Sequence, residues 1–315
     1  MRRAGLLGAL WVIVCCSVHG QHTDSVTYAQ LYPELDSLFS LEDSLSIFDM
    51  IDSILQMEEP SLSSQLAARV TFNSNVGSAG RTLNINQFGL SGGLSYYHKG
   101  GAYLDLAGYW SNEFDPQNYY LTILTGGYLF SLSKAWSGLI EYNKYFYSQQ
   151  SGEDIANIPY THSAGLSNFV RVKPLMLRLD YYFYFGDRNA HRILPGLSLN
   201  LEKRNWIGLD RILLFPSFTM LMGDETVLDY SPLFNTRLGA FLRLRAGLPL
   251  YEEVENKVFG IMNYSLSLPL SIQAGNWNFF VSYVYNIPKA LPGEELELEN
   301  SGYLSAGITK YFNLR

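Results

Sequence analysis

Gly302-Tyr303-Leu304-Ser305-Ala306-Gly307-Ile308-Thr309-Lys310-Tyr311-Phe312 alternates apolar and polar residues, carries no charge but Lys310, and closes on two aromatics. Side chains on a strand point to opposite faces in turn, so this stretch has two faces meant for two solvents. Leu304, Ala306, Ile308 and Phe312 form the apolar face, and Tyr303, Ser305, Gly307, Thr309 and Tyr311 the other. An alternating, aromatic-ended strand at the end of a chain fits the closing strand of a transmembrane β-barrel. Lipid then replaces a protein core as the medium of the apolar face.

The same period of two runs through most of the chain from Leu66 onward. Leu175, Leu177, Leu179, Tyr181, Phe183 and Phe185 oppose Arg178, Asp180, Tyr182 and Tyr184. Tyr264, Leu266, Leu268, Leu270 and Ile272 oppose Ser265, Ser267, Ser271 and Gln273. A soluble sandwich also alternates, but it rarely sets such large apolar residues against so small and polar an opposite face. The pattern predicts strands at 66–74, 84–97, 101–112, 118–131, 135–148, 160–172, 175–187, 192–203, 206–222, 257–273, 277–287 and 301–312. The fold class expected is all-β: an antiparallel transmembrane barrel of about 12 strands, with 10 to 14 open.

Composition agrees. Of 315 residues, 47% are hydrophobic and 15% aromatic, while only 16% are charged, against about 25% in soluble domains. No apolar run reaches the roughly 18 residues of a membrane helix. The first 20 residues read as an export signal: Arg2 and Arg3, the apolar stretch Ala4 to Cys16, then Val18 and Gly20 before a cut at Gln21. Cys15 and Cys16 leave with it, so the mature chain has no disulfide; lipidation at Cys16 is disfavoured by Val14 and Cys15 beside it. Loss of Arg2 and Arg3 leaves 20 basic residues against 29 acidic ones, a net charge of −9. Such a chain is a poor nucleic-acid binder.

Residues 21–65 form an acidic leader with no Lys or Arg. Leu38, Leu41, Leu45, Phe48, Ile51 and Leu55 recur every three or four residues, which predicts a short amphipathic helix on the periplasmic side, ended by Pro60. Within 36–55 it serves as a packed leader, a plug, or a docking helix for a periplasmic or envelope protein; periodicity leaves these open.

Three short turns precede tryptophans: Ser133-Lys134-Ala135-Trp136, Lys203-Arg204-Asn205-Trp206 and Ala274-Gly275-Asn276-Trp277. Trp136, Trp206 and Trp277 are therefore candidate anchors at the membrane interface. Assigning short turns to the periplasm puts both chain ends there and requires an even strand count. Residues 223–256 threaten that parity, because Leu238, Phe241, Leu242 and Leu244 look strand-like. Treated as an outer loop with local structure, or as an inward-folded constriction, they preserve it.

The inward face carries Arg69, Arg171, Arg178, Asp105, Glu141, Asp180 and Glu202. Charges there line an aqueous path and set its selectivity, or pair and fill a narrow barrel. Tyr103, Tyr145, Phe169, Tyr182 and Tyr184 favour partial filling. An outer-membrane lipid hydrolase would need a nucleophile within reach of a histidine. His162 shares a face with Ala164 and Leu166 rather than Ser163 or Ser167, and the His-x-Ser-Asn-Gly pattern is absent. The residues point to no catalytic group, no metal site and no cofactor.

Asp36-Ser37-Leu38, Asp43-Ser44-Leu45, Ala79-Gly80-Arg81, Ser95-Tyr96-Tyr97-His98-Lys99-Gly100 and Ile308-Thr309-Lys310-Tyr311-Phe312 together resemble outer-membrane β-barrel proteins of the Bacteroidota type. The resemblance implies architecture, a Gram-negative outer membrane, and lipid and lipopolysaccharide as surroundings. It carries over no catalytic residue. Expected functions are a narrow pore for small polar solutes, open or plugged; a structural or partner-docking barrel; and, less favoured, a lipid-modifying enzyme.

Overall fold

A computed structural model describes residues 64–74, 89–111, 119–133, 135–148, 160–292 and 298–314. The export signal and the acidic leader, with Leu38, Leu41, Leu45, Phe48, Ile51 and Leu55, lie outside the described residues. The strands are β1 (Gln65–Asn73), β2 (Gly89–Tyr97), β3 (Ala102–Ser111), β4 (Tyr119–Ser131), β5 (Trp136–Tyr147), β6 (His162–Val172) and β7 (Leu175–Phe185). There follow β8 (Asn189–Leu199), β9 (Leu201–Trp206), β10 (Leu209–Leu214), β11 (Ser217–Pro232), β12 (Tyr251–Ala274), β13 (Trp277–Pro288) and β14 (Ser301–Asn313). β8 and β9 are one strand interrupted at Asn200, and β10 and β11 one strand interrupted at Phe215 and Pro216. The wall therefore has twelve strands.

Every neighbour pair is antiparallel, and the ring closes. β14 pairs with β1 from Gln65↔Asn313 to Asn73↔Ser305, and β11 joins β8 to β12. Closure removes both sheet edges, which no lipid could satisfy. The described chain ends meet at one end of the barrel, where the Leu314 amide donates to the Ser64 carbonyl at 2.8 Å. The short β2–β3 turn is at the same end, since the Lys99 amide reaches Ser64 Oγ.

The outer surface explains why the alternation is so strict. Val70, Leu94, Leu106, Ile140, Leu177 and Leu268 all point outward and are about half exposed or more. A continuous exposed belt of this kind is untenable in water and natural in a bilayer. On the closing strand Leu304, Ile308 and Phe312 face out, while Tyr303 and Ser305 are buried inside.

Two regions depart from the sequence expectation. The β9–β10 turn falls at Ile207 and Gly208, not at Lys203–Asn205. Both turn residues have positive φ (56° and 78°), the two-residue turn whose twist matches the flanking strands. Trp206 consequently ends β9 instead of opening the next strand. Among the described residues β9 pairs with β10 alone, so the closed ring runs through β8 and β11 at this position.

The second departure is 223–256. Most of it is not a loop: β11 and β12 continue as a two-stranded arm out to Pro232↔Tyr251. The run around Leu238 is a helix, α1 (Arg237–Arg245), and not a strand. Leu, Ala and Arg are good helix formers and the run has no β-branched residue. It ends in a Schellman cap. Gly247 takes φ 66°, its amide donates to the Leu244 carbonyl at 3.2 Å, and the Leu248 amide donates to the Arg243 carbonyl at 2.9 Å. Pro249 follows, where a helix cannot continue.

A bulge between Leu221 and Met222 marks the root of the arm, which bends and re-aims it. Asp224 clamps it there. Its carboxylate lies 2.5 Å from Lys257 Nζ and accepts from the His191 amide, and Arg192 donates to the Asp224 carbonyl. Burial pushes this carboxyl up, but Lys257, the His191 amide and Arg192 outweigh it and hold it below the usual aspartate range. A depressed folded value adds stability above the unfolded value, near 4, and the contribution disappears as pH falls through the folded value. Cleavage of the arm by an acid-active protease should therefore speed up below that range. In Asp224→Asn it should be equally fast above and below it; unchanged cleavage in both would reject the clamp.

Candidate functional site

The interior builds from strand chemistry. Midway along the wall, β1, β3, β5 and β7 carry Arg69, Tyr103, Asp105, Glu141, Asp180 and Tyr182 inward, while β2, β4 and β6 set Gly93, Gly127 and Gly165 between them. Arg69 on β1 reaches across β2 to Asp105 on β3 in a fork, with Nη1–Oδ1 at 2.5 Å and Nη2–Oδ2 at 2.7 Å. Nη1 also donates to Ser95 Oγ on β2 at 2.8 Å. Tyr103 on β3 reaches across β4, and its hydroxyl donates to Glu141 Oε2 on β5 at 2.8 Å. From the other side Tyr182 on β7 crosses β6 toward the same Glu141.

These crossings need glycine below them. A Cβ on Gly127 of β4 would sit 2.3 Å from the Tyr103 ring, and one on Gly165 of β6 would sit 2.5 Å from the Tyr182 ring. Arg69 lies over Gly93 of β2 in the same way, at 3.0 Å. Mid-strand glycine usually weakens a strand; here it lets a side chain lie flat against the wall.

The remaining candidates fall around this row. Arg178 Nε is 2.5 Å from Asp180 Oδ2, and Asp180 is wholly buried. Arg171 faces inward on β6 near the end with the short turns. Glu202 stands apart: it lies on β9, paired with Arg204 at 2.6 Å and Arg211 at 2.9 Å. The structure thus brings Arg69 to Asp105 and Arg178 to Asp180, and gives Glu141 two tyrosines. Glu202 belongs to the β9–β10 hairpin.

Sequence reading missed the Thr125–Asn143–Ser163–Tyr145 chain beside Glu141. Thr125 Oγ1 donates to Asn143 Oδ1 at 2.6 Å, Asn143 Nδ2 to Ser163 Oγ at 3.0 Å, and Tyr145 shares Ser163 at 2.8 Å. The register pairs Thr125↔Asn143 and Asn143↔Ser163, so a strand alignment with small polar inward residues in one row was the available signal. The inner faces of β13 and β14, and of β12 from Asn263 on, are uncharged. Asn286 Oδ1 accepts from Asn263 at 3.0 Å and Ser265 at 2.7 Å, and Ser271 donates to Asn278 at 2.8 Å.

Two apolar clusters flank the charged row. One gathers Tyr182, Tyr184, Leu194, Leu221 and Met262 toward the end with the arm. The other gathers Tyr97, Tyr103, Phe169, Leu213 and Phe215 toward the chain ends. Solvent reaches almost none of the inward wall between them: Ser163, Asp180 and Ser282 are all at 0% exposure.

Trp136 opens β5 and Trp277 opens β13, both well exposed. Trp136 Nε1 donates to Asn168 Oδ1 at 3.3 Å, Lys310 lies 4.3 Å over Trp277 and Lys203 4.7 Å over Trp206. His162 faces outward, stacked on Phe185 at 5.2 Å, with Tyr142 and Lys144 on its two nitrogens. Ser163 and Ser167 are on the inner face, so neither hydroxyl is within its reach.

No protein family matches the sequence, and no curated protein does. Among solved structures, the KdgM porin aligns at TM-score 0.42 and 10% identity over 79% of this chain and 99% of that one. The NanC porin aligns at 0.42 and 10% over 78% and 98%, and the translocator domain of the autotransporter NalP from Neisseria meningitidis at 0.40 and 13% over 91% and 100%. Likeness this slight carries no argument beyond itself. The barrel stands on its own pairing and its own exposed belt.

Proposed function

We propose that the protein sits in the outer membrane of a Gram-negative bacterium, as the resemblance to Bacteroidota barrels also suggests, and forms a narrow channel for small polar solutes. The observation that carries this reading is the charged row Arg69–Asp105, Glu141 and Arg178–Asp180 inside an apolar-walled barrel. Ionisable groups at membrane depth are costly and mark solute paths. The chain ends and short turns are assigned to the periplasm, following the usual order of such barrels. In this reading the path is narrowed beside Glu141, where the rings of Tyr103 and Tyr182 lie over Gly127 and Gly165. The row acts on ions and polar solutes by charge; no chemistry of bond making is assigned to it.

A second reading, a non-conducting structural or partner-docking barrel, is favoured by the two apolar clusters that flank the row. Planar-bilayer recording separates the two. Wild-type protein is expected to show little steady current. Tyr103→Ala/Tyr182→Ala should conduct, with an ion preference that reverses on further changing Glu141 to Lys. A silent double variant that is correctly folded rejects the channel. The same recording on protein lacking residues 21–65 tests the leader. On the Tyr103→Ala/Tyr182→Ala background, current that rises on deletion identifies a plug; no change leaves the helix at 36–55 as a packed leader or a docking segment for an envelope protein.

A further inference from the structure

The β9–β10 hairpin projects past its β7 neighbour at the mouth where the described chain begins. β7 pairs with β8 no further than Leu175↔Leu199, and the hairpin continues beyond that level to its turn at Ile207 and Gly208. Turn bonds place it at that mouth: the Asn200 amide donates to the Pro174 carbonyl, the Gly275 amide to Asp210, and the Tyr311 amide to the Asn276 carbonyl. All six residues of β9 are exposed. Register sorts the two faces. Glu202, Arg204 and Trp206 stand opposite Leu213, Arg211 and Leu209. They therefore share the face of Leu213, which is buried in the interior cluster. The lipid side carries Leu201 instead, opposite Leu214.

That mouth-side face combines positive charge with an exposed ring. Glu202 is held by Arg211 at 2.9 Å and by Arg204 at 2.6 Å, and Arg204 still has half its side chain exposed. Trp206 is 45% exposed, with Lys203 Nζ 4.7 Å over its ring. Through 171–175 and 201–214 basic residues outnumber acidic ones five to two, in a protein of net charge −7.

The chain itself supplies the complement. Residues 21–63 hold nine acids and no Lys or Arg. At helical spacing Glu42 follows Leu38, Asp49 follows Leu45 and Asp52 follows Phe48 by four residues, which sets each carboxylate beside an apolar side chain. A surface of arginine and lysine around tryptophan fits such a face. A small anion would use the charges and leave the ring, and a lipid headgroup would meet the other side of the hairpin. Reach is sufficient. β10 is four places from β1 through β14, β13 and β12, or about 20 Å at the usual strand spacing. Residues 56–63, which join the stretch 36–55 to Ser64, can span up to about 26 Å.

We infer that the acidic leader docks through residues 36–55 on the mouth-side face of the β9–β10 hairpin. Its carboxylates meet Lys203 and Arg204, its apolar side chains cover Trp206, and the tether from Ser64 carries it across the mouth. This gives the leader a seat within the proposed channel, and it holds whether or not the barrel conducts.

The test uses the chain from Gln21, which has no cysteine, folded into phosphatidylcholine vesicles. Ser44→Cys carries bimane, a fluorophore that tryptophan quenches on contact. Quenching is expected at low salt, and Trp206→Phe should abolish it. Raising the salt to 1 M, which shortens the screening length from about 10 Å to about 3 Å, should release the leader of the otherwise unaltered chain. Lys203→Gln/Arg204→Gln should weaken docking by up to about fivefold per charge, and Lys203→Arg/Arg204→Lys should keep it. Quenching that survives Trp206→Phe places the leader elsewhere and overturns the proposal. Quenching that needs Trp206 but ignores salt overturns the charge pairing. Quenching that fades as lipid is added to dilute the protein within the membrane assigns the contact to a neighbouring copy and overturns it too. No quenching at all, in protein whose barrel still resists unfolding on unheated gels, overturns docking and leaves the channel reading standing.

Discussion

Arg69→Met is expected to lower the stability of the barrel by about 3–5 kcal/mol, the usual result of stripping one partner from a buried ion pair. Arg69 and Asp105 are both below 10% exposed and joined by two hydrogen bonds at 2.5 and 2.7 Å. Without the guanidinium, Asp105 keeps only the Ser95 hydroxyl. Its charge is then stranded in a wall that water barely reaches. The informative comparison is Arg69→Met/Asp105→Leu. Two apolar residues leave no charge to desolvate, so the double variant should recover most of the loss. Urea unfolding in lipid vesicles, followed by tryptophan fluorescence, measures both. If the single and double variants are equally unstable, the pair does not act as a unit and the loss is one of packing alone.

Gly127→Val should be nearly as damaging, for a steric reason. The new Cβ would lie 2.3 Å from the Tyr103 ring and 2.8 Å from the Ile140 carbonyl oxygen. The tyrosine can swing away but the backbone cannot. Overpacking of this kind costs about 1–3 kcal/mol. Displacing Tyr103 also takes the hydroxyl from Glu141, and a hydrogen bond to a charged group is worth about 1.5–3 kcal/mol. Tyr103→Ala on the same background should relieve the clash and restore part of the stability. If Gly127→Val is neutral, Tyr103 does not lie over that glycine.

Much of the architecture was legible because each strand has to satisfy two media. Leu175 to Phe185 and Gly302 to Phe312 show their faces in sequence, and the even count follows from where the chain ends meet. What escaped was governed by something other than alternation. The run at Leu238–Leu244 looks like a strand by its leucines; its helix is decided by the lack of β-branched residues and by the Gly247–Pro249 stop. Residues 223–256 are expected as a loop because one more wall strand would break the even count, yet β11 and β12 go on pairing there, with no second neighbour among the described residues. Inside the barrel, the inward charges could be named but not their partners. Arg69 and Asp105 are 36 residues apart, and only closure and register bring them together. The visible trace was Gly93, Gly127 and Gly165, inward glycines in the middle of alternate strands.

The uneven distribution of those crossings has a mechanical consequence. Arg69, Tyr103 and Tyr182 stitch β1 through β7 across every second strand, whereas the described serine and asparagine bonds inside β12 and β13, Asn263–Asn286 and Ser271–Asn278, join adjacent strands. The barrel thus has a stiff half and a compliant half, and the β14–β1 seam lies where they meet. Thermal breathing should concentrate on the compliant side: amides of β13 and β14 should exchange with solvent deuterium before those of β3 to β6. A wall that flexes on one side can change its cross-section without breaking its ring of hydrogen bonds.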